Sequence, residues 1–250
     1  TIGLTDQQVA SAAGSITIKS AEGMILNGTM QAQAADVAGS RGGSLTIFNN
    51  VLSKATAMDV NEEYSTQVDY LINPGVIHLH NNDFFAVYET GTAINDDMNG
   101  IAHINNSMIK DAGFDSLNLI APNLIKNSKN YSEIGKVVID DGVNLQLRDS
   151  LQIDTTDIVV NGDVELASTY SAIGRFNFPE LKVNGEQIKT GDLSGGGGEL
   201  TVKADHIDLM GEFHINGAEK VNLYSSGDIR LSGSTFVSGT SADFDSFVGE

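Results

Sequence analysis

Pairs of apolar residues at alternate positions recur along this chain, each followed by turn-forming residues. They are clearest in the stretch from Glu199 to Gly233, whose pairs are Leu200/Val202, Ile207/Leu209, Phe213/Ile215, Val221/Leu223 and Ile229/Leu231. Alternation with a period of two places every second side chain on one face of a strand. Gly, Asn, Asp and Ser separate the pairs, and these residues favour turns. The pattern therefore predicts strands of about three to five residues joined by tight corners, with the apolar pairs pointing inward.

A second, longer period relates these strands to one another. A spacing of 21 residues separates the members of three apolar pairs: Ile139 and Val160, Leu145 and Leu166, and Val202 and Leu223. A repeat of roughly 20 residues that contains several short strands is the signature of a solenoid. Leucine-rich repeats share the period, but their helical half-repeat and L-x-x-L-x-L spacing are missing here. The sequence therefore predicts an all-β fold, a right-handed parallel β-helix with irregular loop excursions.

The spacing is less regular nearer the amino terminus and at the last strand. Leu209 and Leu231 are 22 residues apart, and Ile18 and Ile47 are 29 apart because the polar, Gly-rich "DVAGSRGG" lies between them. Corners are marked by "NG" at 27–28, 161–162, 184–185 and 216–217 and by "DG" at 141–142. The same dipeptides are favoured in β-hairpins, so an antiparallel sandwich or barrel is the alternative fold.

Three segments interrupt the pattern. Residues 51–70 are less regular and are expected to form an excursion, and residues 193–198 are expected to form a Gly-rich loop. Residues 105–113 are expected to make a helical turn that ends at Gly113. We expect residues 1–250 to be one β-helical segment. Because the chain begins at Thr1 and stops at Glu250 soon after a strand-like pair, we also expect it to be an internal piece of a longer protein.

Composition excludes several classes of partner. The chain has 14 Lys and Arg against 33 Asp and Glu, a net charge of -19. Nucleic acids and anionic lipids are bound through clustered Lys and Arg, so we expect no nucleic-acid partner. The absence of cysteine excludes disulfides and thiolate metal sites. No apolar run reaches the roughly 18 residues that a membrane-spanning helix needs, so we expect no such helix.

Two histidines are candidates for metal binding. His78 and His80 alternate along one strand, so both project from the same face, and Asp83 follows shortly after. Two imidazoles on one face are a ligand-like arrangement for zinc. The alternative is a pair of solvent-facing histidines on the outer face, opposite Leu79. We assign no resident metal or cofactor from the sequence and keep His78, His80 and Asp83 as candidates.

Acidic residues mark several corners and raise the question of calcium. They are Asp140–Asp141, Asp154/Asp157, Asn161/Asp163 and Asp205/Asp208. Calcium favours carboxylates and carbonyls at turns, but the nine-residue GGxGxDxUx repeat is absent. Asp is also a good turn residue, so we expect adventitious calcium at most. Arg148 lies near Asp149 and Asp141 in the sequence, and a surface ion pair is its expected role. We assign no catalytic residue.

Several phrases, in order, resemble the filamentous haemagglutinin family of two-partner-secreted exoproteins, in its β-helical shaft. They are "LINPGVIHLHNND" (71–83), "DAGFDSLNL" (111–119), "GKVVIDDGVNLQLRDSLQID" (135–154) and "GGGELTVKADHIDLMGEFHINGAEKVNLYSSGDIRLSG" (196–233). The resemblance implies export through an outer-membrane transporter and display or release at a Gram-negative cell surface. It implies roles in adhesion, biofilm formation or contact-dependent toxin delivery. The chain lacks an Arg-Gly-Asp triplet, which argues against integrin-type attachment.

The resemblance leaves two other functions open. A polysaccharide-acting β-helix enzyme would need paired carboxylates, or calcium and a proton-abstracting base, converging in one groove. A calcium-dependent glycan-binding module would need oxygen ligands at its corners. On the resemblance we expect a non-catalytic shaft whose surface ligand is a host-cell, bacterial or glycan structure.

Overall fold

Short strands make up most of the regular structure. The structure is a computed structural model. It describes residues 11–20, 23–26, 28–37, 39–49, 75–81, 100–121, 124–125, 132–133, 135–174, 182–183, 186–187, 197–211 and 213–233. The elements in chain order are β1 (Ser15–Ser20), β2 (Met24–Leu26), β3 (Ser44–Asn49), β4 (Val76–His80), β5 (Ile101–Asn105), α1 (Asn106–Ala112), β6 (Ser116–Ala121), β7 (Leu124–Ile125), β8 (Ser132–Glu133), β9 (Lys136–Asp140), β10 (Asn144–Gln146), β11 (Ser150–Thr155), β12 (Asp157–Asn161), β13 (Val164–Ala167), β14 (Tyr170–Gly174), β15 (Lys182–Val183), β16 (Glu186–Gln187), β17 (Glu199–Ala204), β18 (His206–Met210), β19 (His214–Asn216), β20 (Lys220–Ser225) and β21 (Ile229–Ser232).

Three sheets, each with only parallel pairings, contain most of these strands. Sheet 1 has the order β1-β3-β6-β11-β14-β18-β21, sheet 2 has the order β2-β5-β4-β9-β12-β19, and sheet 3 has the order β10-β13-β17-β20. The chain passes from sheet 2 to sheet 3 to sheet 1 through β9, β10 and β11, and repeats the circuit through β12, β13 and β14. The fold is therefore a parallel β-helix, as the sequence predicts.

The strand register confirms the repeat. Parallel neighbours pair all three 21-residue partners predicted from the sequence, namely Ile139 with Val160, Leu145 with Leu166, and Val202 with Leu223. The longer spacings are also pairs in register, since Leu209 lies beside Leu231 and Ile18 beside Ile47. Within the described residues, antiparallel pairing is confined to β7 with β8 and β15 with β16. The alternative of an antiparallel sandwich or barrel is wrong.

Stacked aliphatic side chains fill the interior. Alternate residues of β3, β6 and β9 are buried, so one face of each strand points inward. Like side chains lie above one another in columns, such as Leu45, Leu117 and Leu151, and beside them Ile47, Leu119 and Ile153. Every member of these two columns is at most 1% exposed. Full burial of one such side chain contributes about 1.5–3 kcal/mol, so the columns are a main source of stability.

The "DG" corner between β9 and β10 requires glycine. Gly142 has φ +76, a left-handed conformation that L-residues with side chains rarely adopt. A Cβ at this position would lie 2.6 Å from Nδ2 of Asn81 in the neighbouring coil. The backbone angle is therefore the main reason for glycine here, and a side chain would in addition require the end of the Asn81 side chain to move.

The helical turn predicted at 105–113 is present as α1. It ends at Gly113, which has φ +74 and forms the left-handed C-cap. Met108, Ile109 and Ala112 are buried and join the aliphatic core. Because α1 connects β5 of sheet 2 to β6 of sheet 1, it takes the position that a sheet 3 strand occupies in the later coils.

Two features of the coils depart from simple succession. β5 lies between β2 and β4, so the chain steps back along sheet 2 before it continues. β19 pairs directly with β12, although the coil of β17 and β18 lies between them in sequence.

The predicted excursion at 51–70 and most of the predicted loop at 193–198 lie outside the described residues. That residues 1–250 form one segment stays a prediction.

The last coil differs from the expectation that its apolar pairs are buried. Leu223 is only partly buried, and Val221, Ile229 and Leu231 are 41%, 45% and 79% exposed. They lie in register with inward residues of the preceding coil, but within the described residues no further coil stacks on them.

Among the described residues, no helix has both the length and the apolar character required to cross a membrane.

Candidate functional site

Three histidines come together on the outer face of sheet 2. His78 and His80 alternate on β4, while Ile77 and Leu79 point inward and are 0% exposed, as the sequence predicts. β5 pairs with β4 in parallel, and its register places His103 directly beside His78. Two adjacent strands therefore hold three imidazoles on one surface.

The three rings lie close enough together to form a candidate metal site. One ligand nitrogen from each of the three histidines lies within 4.8 Å of the others. Nε2 of His80 is 2.8 Å from Nδ1 of His103, and these two rings stack with an interplanar angle of 13°. The ring centroids of His78 and His80 are 3.8 Å apart. This cluster, His78, His80 and His103, is called the histidine site below.

A carboxylate from the next strand orients two of the rings. Asp140 is the last residue of β9, and its Oδ1 lies 2.7 Å from Nε2 of His78. Its Oδ2 lies 2.9 Å from Nδ1 of His80. The side-chain amide of Asn161 donates a further hydrogen bond to Oδ1 of Asp140 at 3.2 Å. A carboxylate that receives an imidazole N–H fixes the tautomer and the orientation of that ring.

Burial makes the histidine site unlike an ordinary outer face. His80 and His103 are 8% and 5% exposed, so the expectation of a solvent-facing pair is wrong for His80. Burial, with smaller contributions from His80 and His78, lowers the pKa of His103 to about 4. Because this value lies well below 7, His103 is a neutral imidazole at neutral pH.

Asp140 keeps its charge in this environment. Burial acts to raise the pKa of Asp140, but the hydrogen bonds with His78 and His80 outweigh it and hold the pKa well below the usual range. The site therefore combines a permanent anion with imidazole nitrogens. Three imidazoles and a nearby carboxylate are the donor types that zinc binds in proteins.

Sequence reasoning found part of this site. It placed His78 and His80 on one face, whereas Asp83, the third candidate, lies outside the described residues. It missed His103, and it considered Asp140 only as part of an acidic corner. Aligning "VIHLH", "IAHIN" and "KVVID" by their inward pairs would have placed His103 beside His78 and Asp140 in line with His80. The signal was present in the strand alignment and not in any local motif.

The acidic corners have structural partners. Oδ1 of Asp141 accepts a hydrogen bond from the backbone N–H of Asp163 at 2.7 Å, and Oδ1 of Asp163 accepts one from that of Glu199 at 2.9 Å. Oδ1 of Asp205 accepts one from the hydroxyl of Ser226 at 2.7 Å. These carboxylates join successive coils, a role that the sequence, which predicted only local turns for Asp, did not indicate.

Arg148 has a different partner from those expected. Its guanidinium binds Asp115 through two hydrogen bonds, of 2.7 and 2.9 Å, instead of Asp149 or Asp141. Asp115 also accepts a hydrogen bond from the backbone N–H of Gly42. The pair lines a groove of about 470 Å³ beside α1. The expectation of an ion pair is correct, but its partner is wrong because a neighbouring coil supplies it.

Comparison with known proteins adds no relative to this picture. A scan of protein-family models, a search of curated proteins and a search of solved structures each found no match to the chain.

Proposed function

We propose that this chain is a non-catalytic, rigid shaft and interaction segment of a secreted, adhesin-like exoprotein of the filamentous haemagglutinin type. In this role it reaches the Gram-negative cell surface as part of a longer chain, exported by an outer-membrane two-partner-secretion transporter. It contributes to adhesion, biofilm formation or contact-dependent delivery by carrying binding surfaces away from the cell. The segments quoted above that resemble this family are the starting point of the proposal.

The stacking of sheet 1 is the observation that supports a shaft. Its seven strands follow one another in chain order from β1 to β21. With neighbouring strands about 4.8 Å apart, they extend over about 29 Å. Each further coil lengthens such a body without enlarging its cross-section, because a repeat contacts only its neighbours. A solenoid therefore supplies reach, which is the property that a surface adhesin needs.

The carboxylate in the groove beside α1 also favours a non-catalytic role. Asp115 binds Arg148 through two hydrogen bonds and Gly42 through a third. A general base or nucleophile has to be available to a substrate, whereas this carboxylate is held by the protein itself. The arrangement is that of a structural ion pair between coils.

Scattering and attachment assays together test the proposal. Small-angle X-ray scattering of the purified chain should give the profile of an elongated particle, and beads coated with it should adhere to bacterial or host cells. Beads coated with the unfolding variant Leu145→Asp are the control. If beads coated with the folded parent chain attach no better than this control, the adhesive role is contradicted.

The same preparation distinguishes the two alternatives. Release of unsaturated sugars from acidic polysaccharides would favour the enzyme, and calcium-dependent signals on a glycan array would favour the glycan-binding module. The shaft proposal predicts that none of the acidic polysaccharides tested is cleaved and that calcium has no effect on attachment.

A further inference from the structure

We propose that His78, His80 and His103 bind one divalent transition-metal ion, with Zn²⁺ as the best fit, and that Asp140 positions two of these ligands. This inference does not rest on the proposed shaft function. It concerns a site on the outer face of sheet 2 that would serve to join β4 to β5.

The geometry of the rings supports a single ion. A zinc ion bound to nitrogens at about 2.0–2.1 Å in a tetrahedral site keeps those nitrogens roughly 3.3–3.4 Å apart. Nε2 of His80 and Nδ1 of His103 are 2.8 Å apart and joined by a hydrogen bond. An increase of about half an ångström, together with transfer of the His103 proton from Nδ1 to Nε2, makes room for an ion between them.

Asp140 prepares the rings for coordination. An ionised carboxylate can only accept, so the N–H groups at Nε2 of His78 and Nδ1 of His80 donate to the two oxygens of Asp140. In a neutral imidazole that leaves the other nitrogen of each ring as a lone-pair donor. Metal-bound histidines characteristically donate their second N–H to a carboxylate in this way. Asp140 is therefore a positioning residue.

The strands that the ion would join are the ones that leave chain order. β4 carries two ligands and β5 carries the third, and β5 lies on the amino-terminal side of β4 in sheet 2 although it follows β4 in sequence. Residues 81–100 connect them. An ion shared by β4 and β5 would hold this reversed pair in register and would stabilise the folded state by mass action.

Direct titration of the full chain tests the proposal. After removal of any polyhistidine tag and treatment with a chelator, Zn²⁺ is titrated by calorimetry and the Tm is followed by circular dichroism. We expect one Zn²⁺ per chain and, at about 100 times the Kd, a rise in Tm on the order of 5–10 °C. Ca²⁺ at the same concentration should leave the Tm unchanged, because calcium prefers oxygen ligands.

Variants assign the binding to these residues. His103→Gln should abolish the one-to-one binding, and Asp140→Asn should weaken it by about 10–100-fold. His206→Gln is the matched control, since His206 lies exposed on sheet 1 and should leave the affinity unchanged. Equal Zn²⁺ affinities for the parent, His103→Gln and His206→Gln chains would overturn the proposal, as would an absence of binding by the parent.

A spectroscopic measurement keeps the test independent of variant folding. Co²⁺ replaces Zn²⁺ in four-coordinate sites and then shows intense visible d–d bands. The parent chain loaded with one equivalent of Co²⁺ should show these bands and lose them when Zn²⁺ is added. A weak spectrum of the hexa-aqua type would contradict a site built from three imidazoles.

Discussion

Sheets 2 and 3 both have aliphatic residues on their inward faces, but their outward faces carry different kinds of residue. In both, inward residues such as Ile139 and Leu145 stack in register with the next coil. Outside, sheet 3 carries the exposed ion pair of Lys203 with Glu165 at 2.7 Å, with side chains 49% and 36% exposed. Sheet 2 instead carries two histidines that are almost fully buried, His80 and His103, together with a charged Asp140.

The difference separates what specifies the fold from what provides chemistry. Both sheets need only inward residues that alternate and align in register with the next strand, so their outer residues are free to vary. Exposed ion pairs such as those on sheet 3 contribute about 0–1 kcal/mol and mainly keep the surface soluble. A buried polar group has to be hydrogen-bonded or bound to a ligand, so the outer face of sheet 2 is where specific function is expected.

The largest effect is expected for a charge placed in the shared interior. Leu145→Asp should lower the free energy of unfolding by more than about 4 kcal/mol, because Leu145 is 2% exposed and the carboxylate would have no partner. Leu223→Asp should cost less, since Leu223 lies partly exposed in the last coil. Urea denaturation measures both. Little destabilisation by either substitution would show that these leucines do not point inward.

A smaller effect is expected from neutralising the carboxylate on each outer face. Asp140→Asn in the presence of a chelator should cost about 1–3 kcal/mol, because hydrogen bonds with His78 and His80 are disrupted in a largely buried site. The matched substitution Glu165→Gln on sheet 3 should cost under about 1 kcal/mol. The contrast between the outer faces is disproved if the two substitutions are equally costly.

The contributions of two aspartates to the free energy of unfolding should change with pH in opposite directions. Burial acts to raise the pKa of Asp208, but hydrogen bonds from Arg230 and Tyr170 outweigh it, so its folded-state pKa lies below its unfolded value. Asp208 therefore stabilises the fold above its unfolded pKa, and this contribution is lost as pH falls. At Asp157, burial outweighs His214 and raises the pKa, so stability there increases as pH falls.

Comparing variants across pH isolates the two contributions. As pH decreases from about 6 to 3, the parent should lose its advantage over Asp208→Asn and gain stability relative to Asp157→Asn. Chemical denaturation at each pH measures both differences. If the stability difference between parent and variant changes with pH in the same direction for both variants, the two carboxylates do not have opposite pKa shifts.

The smallest effect is expected for the exposed pair of sheet 3. A double-mutant cycle on Lys203 and Glu165 should give a coupling energy of about 0.2–1 kcal/mol at low salt, and less at high salt because the charges are screened. A coupling energy above about 2 kcal/mol that does not change with salt would place this pair in a buried environment, against the structure.

The sequence predicted the interior better than the outer face. Inward pairs repeat at a fixed spacing, so Leu145 with Leu166 and Val202 with Leu223 were correctly matched, and the turn ending at Gly113 follows from glycine at a C-cap. These features depend on residues close in sequence or separated by one regular coil.

Outer neighbours depend on which strands become adjacent. His103 is 25 residues from His78 rather than 21, and β5 steps back along the sheet, so counting coils does not bring the two together. Arg148 likewise pairs with Asp115, which is 33 residues away, although Asp149 is next to it in sequence. Single-sequence patterns give the face of a residue, whereas its neighbours on that face follow from the lengths of the intervening segments.

Disulfide trapping tests the parallel register most directly. Thr201 and Asn222 are paired on sheet 3, with Oγ1 and Nδ2 3.4 Å apart, and the chain contains no cysteine of its own. In the Thr201→Cys/Asn222→Cys chain, mild oxidation should form a disulfide. The control Thr201→Cys/Tyr224→Cys should not, because its Cα atoms are about 8 Å apart. Equal cross-linking of both pairs in the folded chain, or cross-linking of the control alone, would contradict the stacked 21-residue coil.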